Sequence, residues 1–162
     1  MILLKKLLNG LNRIVEYAVS LLLIVMVVVV FLQVIFRFVL HSSLPWSEEL
    51  SRYILVWISF LGASIGVKRG AHIGVEVVVN MLPPKMKKGV AFLATLCAAV
   101  FFALMVIYGR RILFIVSGQR SPAMEISMGI PYSAIFVSGV LMFIYSIEQA
   151  LSIVVGRRDE AI

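Results

Sequence analysis

The sequence is 162 residues long, 62% hydrophobic and only 14% charged, with a mean hydropathy of +1.07; this excludes a soluble globular domain and defines an integral membrane protein. The formal net charge of +7 could suit nucleic acid, yet the basic residues form short clusters at the ends of apolar runs, where a membrane surface is the better partner. The one cysteine, Cys97, lies inside an apolar run, so an internal disulfide, a CxxC pair and a cysteine zinc set are all excluded.

Residues 1–13 place Leu3, Leu4, Leu7, Leu8 and Leu11 on one helical face and Lys5, Lys6, Asn9, Asn12 and Arg13 largely on the other, the pattern of a helix lying in the membrane interface. Four apolar runs follow, over about 14–36, 50–67, 90–115 and 131–155, each near the roughly 20 residues a helix needs to cross a bilayer. The first is too long for a signal peptide and lacks a small-residue cleavage pattern, so it is expected to remain as a span. Together these predict one all-α membrane domain over 1–162, with four transmembrane helices and short interfacial amphipathic helices.

Between the first two runs stands RFVLHSSLPWSEELSRYILVW, residues 37–57. Pro45 suits the first turn of the second helix, and Glu48 and Glu49 then fall near its positive dipole end. Arg52, four residues after Glu48 and three after Glu49, is placed to meet either one. Trp46, Tyr53 and Trp57 share a face and read as interfacial anchors. Arg37 ends the first span on the same side, within reach of Glu48 or Glu49 across the hairpin, or of another chain. This charge cluster is a candidate docking point.

Gly62, Gly66, Gly70 and Gly74 recur every four residues along and beyond the second span, a row that lets a partner helix approach closely. Lys68, Arg69 and His72 follow at the membrane surface. The segment after them ends at Pro83 and Pro84, which should stop any helix. Residues 117–133 form a loop rich in turn formers, and Pro131 is placed to open the last span.

Orientation follows from the basic residues. Lys5, Lys6, Arg13, Lys68, Arg69, Lys85, Lys87, Lys88, Arg157 and Arg158 fall on one side, against Arg37, Arg52, Arg110, Arg111 and Arg120 on the other. The positive-inside rule therefore puts both termini in the cytoplasm. Glu16, Arg52 and Glu148 all lie towards span ends, with Arg13, Arg157 or a lipid amine available to satisfy the two acids. An ionisable group at mid-depth, the usual sign of an ion-coupled carrier, is missing from the four runs. His72 and Glu76 alone do not make a metal site, His41 is solitary, and no catalytic constellation appears. No cofactor, metal or enzymatic activity is expected.

The ordered elements R37, W46-x-E48-E49, K68-R69-G70-x-H72-I73 and P83-P84, with the later QRSPAMEISMGIPYSAIFVSG from Gln119, resemble the small membrane subunit of tripartite ATP-independent periplasmic (TRAP) transporters. The resemblance covers nearly the whole chain and departs at Phe136, where a proline is frequent in the family. It implies a bacterial inner-membrane protein bound permanently to a large membrane transport subunit. It also implies a periplasmic substrate-binding protein that delivers an organic acid, such as a C4-dicarboxylate or sialic acid, for sodium-coupled import. In such a complex this chain would be a non-catalytic scaffold bracing the frame of an elevator-type transport domain. Two rival readings of the residues are a stand-alone small homo-oligomeric carrier and a membrane anchor of an unrelated complex.

Overall fold

The computed structural model describes residues 2–70 and 84–154, with side chains from 6–70 and 86–154. Four helices account for most of them: α1 Ile2–Phe38, α2 Pro45–Lys68, α3 Pro84–Val116 and α4 Gly129–Val154. Each contains a stretch long and apolar enough to cross a membrane. The chain is an all-α, multi-pass membrane protein. Hydropathy, not propensity, dictates the helices: Ile24–Val30 is mostly β-branched, a composition that favours strands in water. In hydrocarbon every backbone N–H and C=O must be bonded within the segment, and a single span can do that only as a helix.

Helix boundaries depart from the sequence reading in two places. α1 runs unbroken from Ile2, so the amphipathic segment 1–13 and the first span form one rod rather than two helices. Gly10 is the weakest helix former in that segment, and one glycine costs only about 1 kcal/mol against alanine, too little to break the rod. Pro84 does not stop a helix but opens α3, as a proline without an N–H to satisfy readily does. The expected stop at Pro83 lies outside the described residues. At the other two starts, Pro45 occupies the first turn of α2, and Pro131 lies buried in the first turn of α4.

The helices pack most extensively as α3 on α4, α4 on α2 and α2 on α1, giving the spatial order α1, α2, α4, α3. The closest seam joins α3 and α4. A Cβ added to Gly109 would stand 3.5 Å from the Phe136 Cα, and one added to Gly139 would stand 3.3 Å from the Val106 Cγ2. Two glycines on opposite helices thus let the backbones approach, with Ala134 and Ser138 fully buried beside them. Below this seam Phe102, Leu141, Met142 and Tyr145 meet Leu61 and Val67 of α2 and Leu8 and Val15 of α1 in one hydrophobic cluster.

Candidate functional site

Charge gathers at the two ends of the helix array. The loop end carries Arg37, the start of α2 and the connection 117–128. The terminal end carries Arg13, Lys68, Arg69 and the close of α4.

At the loop end the two adjacent glutamates diverge. Glu48 is exposed: its Oε1 accepts a hydrogen bond from Gln33 Nε2 at 3.1 Å and lies 4.0 Å from Arg37 Nη1. Glu49, one position round the helix, is 5% exposed. Its carboxylate accepts the Tyr53 hydroxyl at 2.8 Å and the backbone N–H of Ala123 at 2.8 Å. The connection it receives is itself closed: Ser121 N donates to Ile126 O, Met128 N donates to Gln119 O, and Arg120 Nη1 donates to the carbonyl of Glu125, a residue held at φ 55. Two short motifs far apart in sequence, the paired glutamates and the S-P-A element, are therefore two halves of one contact.

This geometry revises the aromatic and arginine readings. Tyr53 and Trp57 face inward, Tyr53 onto Glu49 and Trp57 through its Nε1 to the Ile130 carbonyl at 3.2 Å. The hydroxyl of Tyr53 is thus bonded within α2 and the indole N–H of Trp57 to the first turn of α4. Trp46 alone of the three is exposed, at 40%. Arg52 makes no ion pair with either glutamate among the described residues, because Glu49 is turned into the loop and Glu48 towards α1.

At the terminal end Glu16 of α1 accepts hydrogen bonds from Asn12 Nδ2 at 2.9 Å and Arg69 Nη2 at 2.8 Å. Lys68 pairs with Glu148 of α4, both side chains largely enclosed, and its Nζ stands 5.3 Å from the centre of the Tyr145 ring. Gln149 donates to the Val67 carbonyl. Thus Arg69 engages Glu16 and Lys68 engages Glu148, so Lys68 is no free surface cation; Arg157 lies outside the described residues. α2 ends between α1 and α4, so its last cations meet an acid on each side. These ties were missed in the sequence because they join residues 53 and 80 positions apart.

The glycine row also divides. Among the described residues, Gly62 and Gly66 have no atom beyond their own helix turn within 4 Å of an added Cβ. Gly70 has φ 75 and its N–H bonds the Val67 carbonyl, so it closes α2 as a left-handed cap. Gly74 and His72 lie outside the described residues. The glycines that do pack, Gly109 and Gly139, carry no four-residue repeat that would have drawn attention. No three His, Cys, Asp or Glu among the described residues gather closely enough for a metal.

A four-helix membrane subunit whose charges tie helices together at both ends is the class these observations define. Residues 26–156 match the family described as "Tripartite ATP-independent periplasmic transporters, DctQ component", and the chain belongs to that family, the TRAP transporter small permease subunits. It is 28% identical to a TRAP transporter small permease protein of Haemophilus influenzae over 91% of this chain and 92% of that one. It is 33% identical to the C4-dicarboxylate TRAP transporter small permease protein DctQ of Vibrio cholerae over 57% of this chain and 40% of that protein. It also resembles the sialic acid TRAP transporter permease protein SiaT of H. influenzae, 30% identical over 62% of this chain and 16% of that longer one.

Proposed function

We propose that this chain is the non-catalytic scaffold subunit of a sodium-coupled importer for a small organic acid, acting as a single inner-membrane domain with both termini in the cytoplasm. The terminal end then faces the cytoplasm, with the basic start of α1 at the head groups, and the loop end faces the periplasm. A large membrane subunit moves the substrate, and the periplasmic binding protein meets the loop end near Arg37, Trp46, Glu48 and Arg52. The observation that carries this reading is the placement of charge: Glu16, Glu49 and Glu148 are all engaged in ties at helix ends, while α1 and α2 keep apolar or glycine-lined faces open. The resemblance to a C4-dicarboxylate small permease and to part of a sialic acid permease supports an organic acid as cargo. A stand-alone carrier would have to work through Glu16 and Glu148, whose pairing with Arg69 and Lys68 leaves them poorly suited to binding an ion.

Affinity purification from native membranes in mild detergent should recover one large polytopic chain in equal amount, and sodium-driven uptake by the reconstituted complex should collapse when this chain is omitted. Undiminished uptake without it would sink the proposal.

A further inference from the structure

Arg110 and Arg111 stand side by side on α3, both exposed. Among the described residues neither forms an ion pair; Arg111 only lies 5.8 Å from the centre of the Tyr108 ring. Glu16, Glu48, Glu49 and Glu148 are engaged elsewhere. Unneutralised charge on a spanning helix is costly unless it reaches the head groups, so the depth of the pair decides its meaning.

The helix itself sets that depth. Lys87 and Lys88 precede the stretch from Gly89 to Gly109, which carries no charged side chain. From Lys88 to Arg110 the helix rises about 33 Å, close to the roughly 30 Å of a bilayer's hydrocarbon core. With the lysines at one head-group layer, the arginines lie at the other. Beside them runs a groove of about 830 Å³, open along its side and lined by Val106, Ile107, Leu113 and Phe114 with both arginines. Ile107, Arg110 and Phe114 are spaced by three and four, hence on one face.

We propose that this groove holds a phospholipid of the periplasmic leaflet with a net negative head group. Its phosphate sits on the two guanidiniums, whose planar forks match phosphate oxygens, and its acyl chains run down over Ile107 and Val106. A lipid satisfies the charge and the apolar wall together, whereas an acidic side chain of a partner would satisfy only the charge. The inference needs α3 to span the bilayer and takes its leaflet from the orientation proposed above, but does not depend on which proteins the chain binds.

The test is native mass spectrometry of the complex purified in mild detergent, with phosphatidylglycerol and phosphatidylcholine as the added probes. The wild-type complex should retain phosphatidylglycerol over phosphatidylcholine, and R110Q/R111Q should retain about tenfold less of it, with each single variant intermediate. R13Q, which removes an exposed arginine at the other end, should change retention less than about twofold. Without any variant, phosphatidylglycerol should raise the unfolding temperature of the wild-type complex more than phosphatidylcholine does. Equal retention by R110Q/R111Q, an equal loss in R13Q, or loss of the partner chain with lipid unchanged would each overturn the assignment; the last would make the occupant a protein.

Discussion

Two pairs of glycines lie on neighbouring helices and do opposite things. Gly109 and Gly139 sit in a closed seam, with the backbone of α4 3.5 Å from the Cβ position of Gly109. Gly62 and Gly66 on α2 face nothing among the described residues. A small residue in a membrane helix therefore reports a close approach only when something approaches, and a regular repeat is no guide to which pair is used internally. The sharpest way to separate the two is substitution by leucine. In the isolated chain Gly109→Leu should drive branched carbons into the Phe136 backbone and lower stability by about 3 kcal/mol, while Gly109→Ala, at ordinary contact distance, should be nearly neutral. Gly66→Leu should leave the isolated chain within about 0.5 kcal/mol yet reduce recovery of the large partner. Thermal unfolding in detergent reads the first, co-purification the second; full assembly of Gly66→Leu would show that this row faces lipid.

The two charged ends repeat the contrast. At the terminal end Lys68 and Glu148 keep only 11% and 18% side-chain exposure, so removing one partner strands the other. Lys68→Ala should cost about 3 kcal/mol, near the lower figure for breaking a buried pair. The double variant Lys68→Met with Glu148→Leu should recover most of that loss, because a buried pair replaced by apolar volume is often neutral. If the double variant proved as unstable as the single, the pair would be acting through the Tyr145 ring and its surroundings rather than through charge.

A smaller effect is expected from Glu49→Gln. The amide keeps one acceptor oxygen, so the chain should fold, but the charge-assisted bonds from Ala123 N–H and the Tyr53 hydroxyl weaken. Loosening should be local: amide hydrogen exchange should quicken at Ala123 and neighbouring residues of 117–128 while the four helices keep their protection. Unchanged exchange there would mean that the loop's own bonds, such as Ser121 N to Ile126 O, hold it without the glutamate.

The limits of sequence reading follow the same physics. Span number and type were legible because hydrocarbon forces each apolar run into a helix, and the prolines at 45 and 131 mark starts by a local rule. Lys68, Arg69, Glu16 and Glu148 are each visible as charges at span ends, but their pairing depends on the order in which helices stand side by side, which no local rule supplies. Glu49 carried no mark distinguishing it from Glu48; only the return of the 117–128 loop over α2 decides which carboxylate is buried. Gly109 stood alone in an apolar run, indistinguishable from a lipid-facing position until α4 was placed against it.

The smallest effect belongs to Arg37. The Arg37 and Glu48 side chains are 65% and 52% exposed and their nearest atoms are 4.0 Å apart, so solvent and salt screen the pair and its contribution is under about 1 kcal/mol. Glu48 also keeps Gln33 as a donor, and removing Arg37 leaves no buried charge behind. Arg37→Ala should therefore shift unfolding of the isolated chain barely at all, in contrast to Lys68→Ala. The same exposure leaves the guanidinium free to meet a partner, where desolvation would strengthen it. If Arg37 serves docking, the variant should weaken recovery of the binding protein or the large subunit, and more so at low salt, where long-range attraction is least screened. A large fall in the stability of the chain alone, with partner recovery unaltered, would instead make Arg37 a brace of the first hairpin.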